Sequence, residues 1–274
     1  MTCIMSEKVL FTFPTERYLN IIRKGYNKFH KRTLRLQPNI LSMNLNYKSK
    51  KLLLLQRNDL LSEKQKFLRK KFGRMIFTNL FVNFYQSKNI AKLAKDLFQK
   101  EIDTIKNFLP KKVKNIMDVG CGLGIVNIFL DKIYKKKANF YLLDKNRIDN
   151  KIKYGFSSDY ESYNDLNETK QMLLDNGIES NRINIRDVDQ NIIIDKKIDL
   201  VISLKSMGYH YPFENYMQLF NISCNNETIF IFDIAANQYK YNFFKKYFEE
   251  VQIIYEEESV HSLKRLCCKK FKKN

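Results

Sequence analysis

The spacing of apolar residues changes along the chain and predicts where helices and strands lie. Apolar side chains recur every three or four positions over residues 90–109, which predicts an amphipathic helix that ends at Pro110. Ser62 is a suitable N-cap for an earlier helix whose apolar positions continue to Phe84. We expect residues 1–60 to be irregular or partly helical, including their run of four consecutive leucines.

Short apolar runs in the second half of the chain predict strands that alternate with helices. The predicted strands are residues 116–119, 139–144, 182–188, 198–204, 228–234, 251–255 and 262–268, and the predicted helices among them are residues 125–133, 165–175 and 238–248. Alternation of this kind is typical of an α/β protein with a largely parallel sheet.

A glycine-rich turn separates the first of these strands from its helix. The sequence there reads D-V-G-C-G-L-G, from Asp118 through Gly120, Cys121 and Gly122 to Gly124. Glycine adopts positive φ readily, and its missing Cβ lets a ligand approach the backbone. The following helix directs its unpaired N–H groups at the turn. We therefore expect a small-ligand site at the carboxyl end of this strand.

The spacing of the glycines argues against a dinucleotide site. A G-x-G-x-x-G fingerprint that starts at Gly120 would need glycine at position 125, which is Ile125. An acid two residues before the first glycine suits a cationic ligand better than a pyrophosphate. The stretch resembles motif I of the class I S-adenosylmethionine-dependent methyltransferases, whose cofactor carries an ammonium and a sulfonium group.

The resemblance covers residues 90–271 and implies a fold as well as the cofactor S-adenosylmethionine. The fold is an α/β, Rossmann-like sheet of seven strands in the order 3-2-1-4-5-7-6, whose last two strands form an antiparallel hairpin. Residues 89–274 would form this methyltransferase domain, and residues 1–88 would form a basic, mainly helical N-terminal extension.

The resemblance assigns further cofactor contacts to the ends of the later strands. Asp144 ends the second predicted strand, 20 residues beyond Gly124, where a carboxylate can accept hydrogen bonds from both ribose hydroxyls. The acid that recognises the adenine amino group is either Asp187 or Asp189, and the sequence does not choose between them. The implied cofactor contacts are Asp118, Gly120, Cys121, Gly122, Gly124, Asp144, Lys145, Asp187, Val188 and Ser203.

The segment after the fourth predicted strand, K-S-M-G-Y-H-Y-P, borders the methyl group in the family that it resembles. It contains His210 between two tyrosines, and histidine is the side chain best suited to accept a proton near neutral pH. We expect His210 to be the general base, with a purely structural histidine as the alternative. The long link over residues 145–163 also lies at the ligand edge, where such links are often functional.

Missing motifs restrict the methyl acceptor. The fourth strand is not followed by the Asn/Asp/Ser-Pro-Pro-aromatic motif expected for methylation of an amino nitrogen in adenine or glutamine. A Pro-Cys nucleophile for pyrimidine carbon chemistry is absent, and Ser203 stands where a metal-assisted catechol-type site needs an acid. A hydroxyl or an amine remains as the acceptor, and we expect O-methylation of a small molecule, a sugar or a glycan. The alternatives are an RNA methyltransferase and a non-catalytic scaffold that retains the ligand site.

Positive charge is concentrated in the N-terminal part of the chain. The formal net charge is +20, and residues 1–110 contain 23 Lys and Arg against 7 Asp and Glu. This region could bind nucleic acid, an anionic glycan or an anionic membrane surface. A lysine-rich composition throughout the chain is the alternative explanation.

Cysteine and histidine usage argues against a metal site. The sequence has five cysteines without a C-x-x-C pair, and three histidines. The odd cysteine count and the intracellular cofactor favour a reducing, cytoplasmic location. No apolar run approaches the ~18 residues of a membrane span, and residues 1–14 lack the pattern of a signal peptide. The sequence leaves the oligomeric state open.

Overall fold

The computed structural model describes residues 43–84, 87–149, 162–258 and 262–273, and a seven-stranded sheet lies at its centre. The strands are β1 (Asn115–Val119), β2 (Asn139–Asp144), β3 (Ile183–Asp187), β4 (Leu200–Ser203), β5 (Ile229–Ala235), β6 (Phe248–Glu257) and β7 (Leu263–Phe271). Their order is β3-β2-β1-β4-β5-β7-β6. The first five strands are parallel, and β7 is antiparallel to both β5 and β6. This arrangement confirms the predicted fold class and strand order.

The helices precede the sheet or connect its strands. They are α1 (Tyr47–Gln56), α2 (Glu63–Phe72), α3 (Arg74–Phe84), α4 (Ser87–Ile105), α5 (Ile125–Ile133), α6 (Leu166–Asp175) and α7 (Met217–Ser223). Short 3₁₀ turns occupy Asn58–Leu60, Lys106–Phe108, Ser180–Arg182, Phe213–Tyr216 and Tyr241–Lys246. Within the described ranges, none of the helices is both long and apolar enough to cross a lipid bilayer.

The central strands are apolar almost throughout because helices and loops cover both faces of the sheet. Every residue of β1 and β4 is buried, as expected for inner strands of a parallel sheet.

Aromatic side chains fill the core beside β4 and β5, and Phe213 is completely buried there. Its ring contacts Phe220, Phe232, Phe244, Tyr247 and Phe248, with ring centroids 5.2–6.0 Å apart. This cluster anchors the end of the segment that follows β4.

The four consecutive leucines form a regular helix. Leu52, Leu53, Leu54 and Leu55 all lie in α1 and are at most 2% exposed. The Asn46 side chain caps this helix by accepting a hydrogen bond from the Ser49 backbone N–H at 2.8 Å. The helix also contacts the start of α6, where Lys48 pairs with Asp165 at 2.6 Å. The leucine run has no amphipathic period because its side chains are buried on every side of α1.

The single helix expected after Ser62 is in fact two helices. Ser62 does cap α2, and its backbone N–H donates to the Gln65 side chain at 2.8 Å in a capping box. The chain then breaks at Gly73, whose φ is +82°, and restarts as α3. A residue with that φ cannot continue a right-handed helix, so the break follows from glycine at this position.

Other element predictions vary in accuracy. The helix expected at residues 238–248 is wrong, because only the 3₁₀ turn Tyr241–Lys246 forms before β6 begins at Phe248. The helix expected at residues 90–109 is confirmed as α4, with its last turn tightened to 3₁₀. Most of the expected functional link, residues 150–161, lies outside the described residues. The domain division at residue 88 stays a prediction.

Candidate functional site

The turn between β1 and α5, residues 120–124, is bent by glycines in the left-handed region. Gly120 has φ +72° and Gly122 has φ +53°. The backbone N–H groups of Gly120 and Cys121 both donate to the Leu143 carbonyl, at 2.7 and 3.1 Å, which attaches this glycine turn to the end of β2. A Cβ on Gly120 would lie 1.8 Å from the Ser206 hydroxyl oxygen. Only glycine lets the loop after β4 approach the turn this closely.

The Gly122 peptide is held from two sides. Its N–H donates to the Asp144 carboxylate at 2.7 Å, and the other oxygen of Asp144 accepts from the Lys145 N–H at 2.7 Å. The Gly122 carbonyl accepts hydrogen bonds from the Asn164 amide at 2.9 Å and the Thr169 hydroxyl at 2.7 Å. Asp144 ends β2 and Thr169 lies in α6, so the groups that hold the Gly122 peptide are themselves fixed. The turn is therefore preorganised.

Asp118 lies beneath the glycine turn, almost completely buried at 5% exposure. One carboxylate oxygen accepts a hydrogen bond from the Asn127 amide at 2.5 Å. Burial raises the pKa of Asp118 to about 7, the negative charge of Asp144 adds to the rise, and the Asn127 hydrogen bond opposes it. Among the described residues, the buried Asn127 Oδ1 has no hydrogen-bond partner. The turn therefore has unused acceptor capacity beneath it.

The second carboxylate of the site, Asp144, is half-buried. Burial raises its pKa to about 6, although hydrogen bonds from Gly122, Lys145 and Asn164 oppose the rise. Burial likewise raises the pKa of the Cys121 thiol, and the charges of both carboxylates raise it further. The two carboxylates beside this turn disfavour each other's ionisation, and a cationic ligand would relieve that repulsion.

The sheet places the predicted adenine-side residues next to Asp144. Asp187 is the register partner of Asp144, and the Val188 N–H donates to the Asp144 carbonyl at 3.0 Å. The Asp187 carboxylate accepts from the Asp189 N–H at 3.0 Å, whereas the Asp189 carboxylate lies 3.8 Å from the Lys145 ammonium. Both acids thus stand at this edge, and the choice between them stays open.

Two tyrosines on the Asp144 side were not identified from the sequence. Burial raises the pKa of both Tyr211 and Tyr216, and the negative charge of Asp144 contributes to each shift. The Lys145 ammonium lies 5.5 Å from the centre of the Tyr211 ring. These rings add an aromatic wall beside the predicted ribose and adenine contacts. The Y-H-Y-P sequence was the available signal for Tyr211.

The loop after β4 is a tight turn built on Ser203 and Ser206. The Ser203 hydroxyl donates to the Val119 carbonyl at 2.6 Å and accepts from the Met207 N–H at 2.9 Å, which ties the loop to β1. The Ser206 carbonyl accepts hydrogen bonds from the backbone N–H groups of residues 209, 210 and 211. Ser203 is therefore engaged within the protein, and its contact with cofactor stays a prediction.

His210 lies on this loop with an exposed side chain. Its backbone N–H donates to the Ser206 carbonyl at 2.7 Å, and its ring meets the Tyr209 ring edge-on with centroids 4.8 Å apart. The structure places His210 on the same turn as Tyr211, at the carboxyl end of β4. Its role as a base stays a prediction.

Gln56 and Asp59, at the end of α1 and in the following 3₁₀ turn, also reach the site. The Gln56 amide nitrogen donates to the Tyr163 carbonyl at 2.8 Å, and the Asp59 carboxylate pairs with the Lys205 ammonium at 2.7 Å. Sequence analysis missed both residues because they precede the glycine turn by about 60 positions and belong to no motif.

Comparison with solved structures identifies the fold. The StiE O-MT structure, residues 961–1257, aligns with 82% of this chain and 91% of its own length, with a TM-score of 0.50 and 12% identity. The strand order and the glycine turn after β1 agree with this likeness. The chain has the class I methyltransferase fold.

Other structures resemble parts of this methyltransferase fold less closely. The ribosomal protein L11 methylase of Lactobacillus delbrueckii subsp. bulgaricus is 15% identical, covering 64% of this chain and 79% of its own, with a TM-score of 0.43. A SAM dependent methyltransferase of Aquifex aeolicus is 10% identical, covering 61% and 87%, with a TM-score of 0.43. No family model and no curated protein sequence matches this chain.

Proposed function

We propose that this protein is an S-adenosylmethionine-dependent methyltransferase that methylates a hydroxyl group of a small molecule, a sugar or a glycan. The observation that carries the proposal is the glycine turn with two carboxylates beside it, the buried Asp118 and the half-buried Asp144. Similar folds serve several acceptor classes, so the acceptor is argued from the site and not from the fold.

The residues of the site fit the cofactor. Its positive charges match the carboxylates of Asp118 and Asp144, and the glycines of the turn place no side chain of their own beside a ligand. Asp118 and the glycine turn would hold the amino-acid end, and Asp144, Lys145 and Val188 would hold the adenosine end. The bound cofactor supplies an electrophilic methyl group on its sulfonium.

The same charges oppose a dinucleotide. A pyrophosphate would bring negative charge beside the two carboxylates of a partly desolvated site, where the electrostatic cost is greater than in water. The third glycine of the turn stands at position 124 and not at 125. These two features favour S-adenosylmethionine over NAD.

His210 is our candidate for the base in transfer to a hydroxyl. An alcohol holds its proton at neutral pH, so a base that accepts this proton during transfer lowers the barrier. The exposed His210 ring is accessible to an acceptor at the carboxyl end of β4. Lys205 on the same loop is engaged in an ion pair with Asp59.

Calorimetry with S-adenosylmethionine, S-adenosylhomocysteine and NAD tests the proposal. We expect binding of the first two ligands and none of NAD. Binding of NAD without binding of S-adenosylmethionine would refute the proposed function. Failure to bind any of the three would support a scaffold role for the fold.

A second candidate function, RNA methylation, is favoured by the exposed face of α2. Phe67 is 67% exposed there, between the exposed Lys64 and Lys70 one turn away on either side. Cations beside an aromatic ring can bind phosphates while the ring stacks on a base.

RNA binding at several salt concentrations tests this second candidate. The double variant Lys64→Glu/Lys70→Glu should abolish salt-dependent binding of single-stranded RNA. The control Lys111→Glu/Lys112→Glu makes the same charge change at exposed residues outside α2. An equal loss in both variants would indicate general electrostatic attraction and no α2 site.

A further inference from the structure

The segment from Gln56 to Asp59 crosses the site from one side to the other. At one end, the Gln56 amide donates to the Tyr163 carbonyl and, at 3.2 Å, to the Asn164 side chain, both of which follow β2. At the other end, Asp59 pairs with Lys205, which follows β4. Since β1 lies between β2 and β4 in the sheet, this 56–59 segment passes over the end of β1 and its glycine turn.

The orientation of the Gln56 amide is fixed by its partners. A backbone carbonyl only accepts hydrogen bonds, so the nitrogen of the amide must face Tyr163. The oxygen therefore points the other way. It lies 2.8 Å from the position that a Cβ on Gly122 would occupy. An acceptor oxygen thus stands directly over the glycine turn.

The segment is anchored independently of any ligand. The Arg57 guanidinium pairs with Glu101 on α4 at 2.5 Å and with Asp59 at 3.3 Å. Arg57 also lies 4.8 Å from the centre of the Phe98 ring. These contacts fix Arg57, and with it Gln56 and Asp59 on either side. A preorganised binding wall requires such an arrangement.

We propose that the 56–59 segment forms a wall of the cofactor site and that Gln56 Oε1 accepts a hydrogen bond from the ammonium of the cofactor's amino-acid end. The inference rests on the proposed function. Asp144 at β2 is placed for the ribose, so the opposite end of the same ligand lies toward β1 and β4, beneath this segment. Asp118 supplies negative charge below the ammonium, and Gln56 supplies a neutral acceptor above it.

Ligand truncation tests the proposal without an activity assay. S-adenosylhomocysteine carries the amino-acid end, and 5′-methylthioadenosine lacks it. The variant Gln56→Met keeps the side-chain length and removes the acceptor. We expect it to weaken S-adenosylhomocysteine binding about tenfold, the usual effect of one lost hydrogen bond to a charged group, and to leave methylthioadenosine binding within about twofold in calorimetry.

Two further variants make the test specific. Gln56→Glu retains an acceptor oxygen and should therefore bind S-adenosylhomocysteine more tightly than Gln56→Met does. Gln171→Met makes the same change on the exposed face of α6 and should alter neither affinity. Gln56→Glu also keeps the inference testable if Gln56→Met does not fold: a carboxylate facing the ammonium should raise the preference for S-adenosylhomocysteine over methylthioadenosine above that of wild type, and an unchanged preference would overturn the inference.

The outcomes separate this inference from the proposed function. Equal weakening of both ligands by Gln56→Met would mean that Gln56 only supports the turn, and unchanged affinity would mean that it makes no contact. Either result overturns the inference while the methyltransferase proposal stands. A wild-type protein that binds neither ligand would overturn both.

Discussion

Arg265 and Asp233 form a completely buried ion pair, with hydrogen bonds of 2.6 and 2.9 Å between the guanidinium and the two carboxylate oxygens. Arg265 also donates to the Thr104 hydroxyl at 2.6 Å, which links β7 to α4. The backbone N–H of Lys205 donates to the same Asp233 carboxylate at 3.0 Å, where Lys205 has a φ of +60°. The pair thus fixes the start of the loop that carries His210 in a strained conformation.

Removing one member of this pair should destabilise the protein strongly. Arg265→Met leaves the Asp233 charge buried without its partner, so we expect the free energy of unfolding to fall by about 3–5 kcal/mol. Urea denaturation measures the change. The double variant Arg265→Met/Asp233→Asn removes both charges and keeps an acceptor for the Lys205 N–H, so it should recover part of the loss.

An exposed pair provides the control for Arg265. Lys66→Met removes the Glu63 pair on α2, where both side chains contact solvent, and should cost no more than about 1 kcal/mol. If Arg265→Met were as mild as Lys66→Met, the buried pair would not hold the fold together.

Gly120 should tolerate no side chain. Gly120→Ala requires a positive φ, which costs about 1–2 kcal/mol, and also drives its Cβ into Ser206. Gly177→Ala is a matched control because Gly177 has φ +89° but nothing within 4 Å of the added Cβ. We expect Gly120→Ala to lower the unfolding free energy and cofactor affinity by more than Gly177→Ala does.

A compensating change distinguishes the two causes at Gly120. Ser206→Gly removes the clashing side chain and should restore part of the lost stability and affinity in the Gly120→Ala background. It should restore nothing in the Gly177→Ala background. Rescue in both would show that Ser206 acts through something other than contact with the turn.

The sequence was sufficient to predict the parts of the site that depend on local backbone geometry. The glycine turn and the helix α6 use residues close together in the chain, whose conformational preferences act directly. The 20-residue spacing from Gly124 to Asp144 corresponds to the length of one helix and one strand. Short connections therefore made one edge of the ligand site predictable, whereas the strand order was implied by the resemblance to the methyltransferase family.

The parts that could not be predicted depend on packing between distant segments. Gln56 reaches the glycine turn only because the leucines of α1 are buried, and the sequence showed no amphipathic period there. Arg265 meets Asp233 because β7 pairs with β5 in one particular register. Neither relationship leaves a signal in residue spacing.

Asp118 makes the stability of the ligand-free protein depend on pH. Burial raises its pKa to about 7 from the ordinary 3.8, so the folded state binds this proton more tightly than the unfolded state. Stability from this group is therefore lost as pH rises from about 4 to about 7. Asp118→Asn removes the ionisation. The free energy of unfolding of the variant should exceed that of wild type by an amount that grows across this pH range. Above the range the difference should stay constant at a few kcal/mol.

Thermal unfolding of both forms between pH 4 and pH 8 measures this effect. Asn at position 118 can still accept the hydrogen bond from Asn127, so the comparison isolates the charge. The variant should bind S-adenosylmethionine more weakly than wild type because the cation loses its partner. A stability difference that does not change with pH would contradict the assignment.

Asp144 should account for recognition of the ribose. Asp144→Ala should weaken S-adenosylhomocysteine binding by about 1–3 kcal/mol, the range for hydrogen bonds to a charged group. Calorimetry with methylthioadenosine and its 2′-deoxy analogue tests the contact itself. Wild type should prefer the ligand with the 2′-hydroxyl, and the variant should lose that preference. A preference retained by a folded variant would place the ribose elsewhere.

His210 should matter for the reaction and not for cofactor binding. A base that accepts the proton of an acceptor hydroxyl contributes about 10²–10⁴-fold in rate. We therefore expect His210→Ala and His210→Gln to lower single-turnover rates by about 10² or more, with cofactor affinity within a few-fold. The wild-type rate should also decline toward acidic pH, because protonated imidazole cannot accept a proton, and the variants should lack this decline. Wild-type rates in both variants would make His210 structural, and the protein would then act by positioning the acceptor alone.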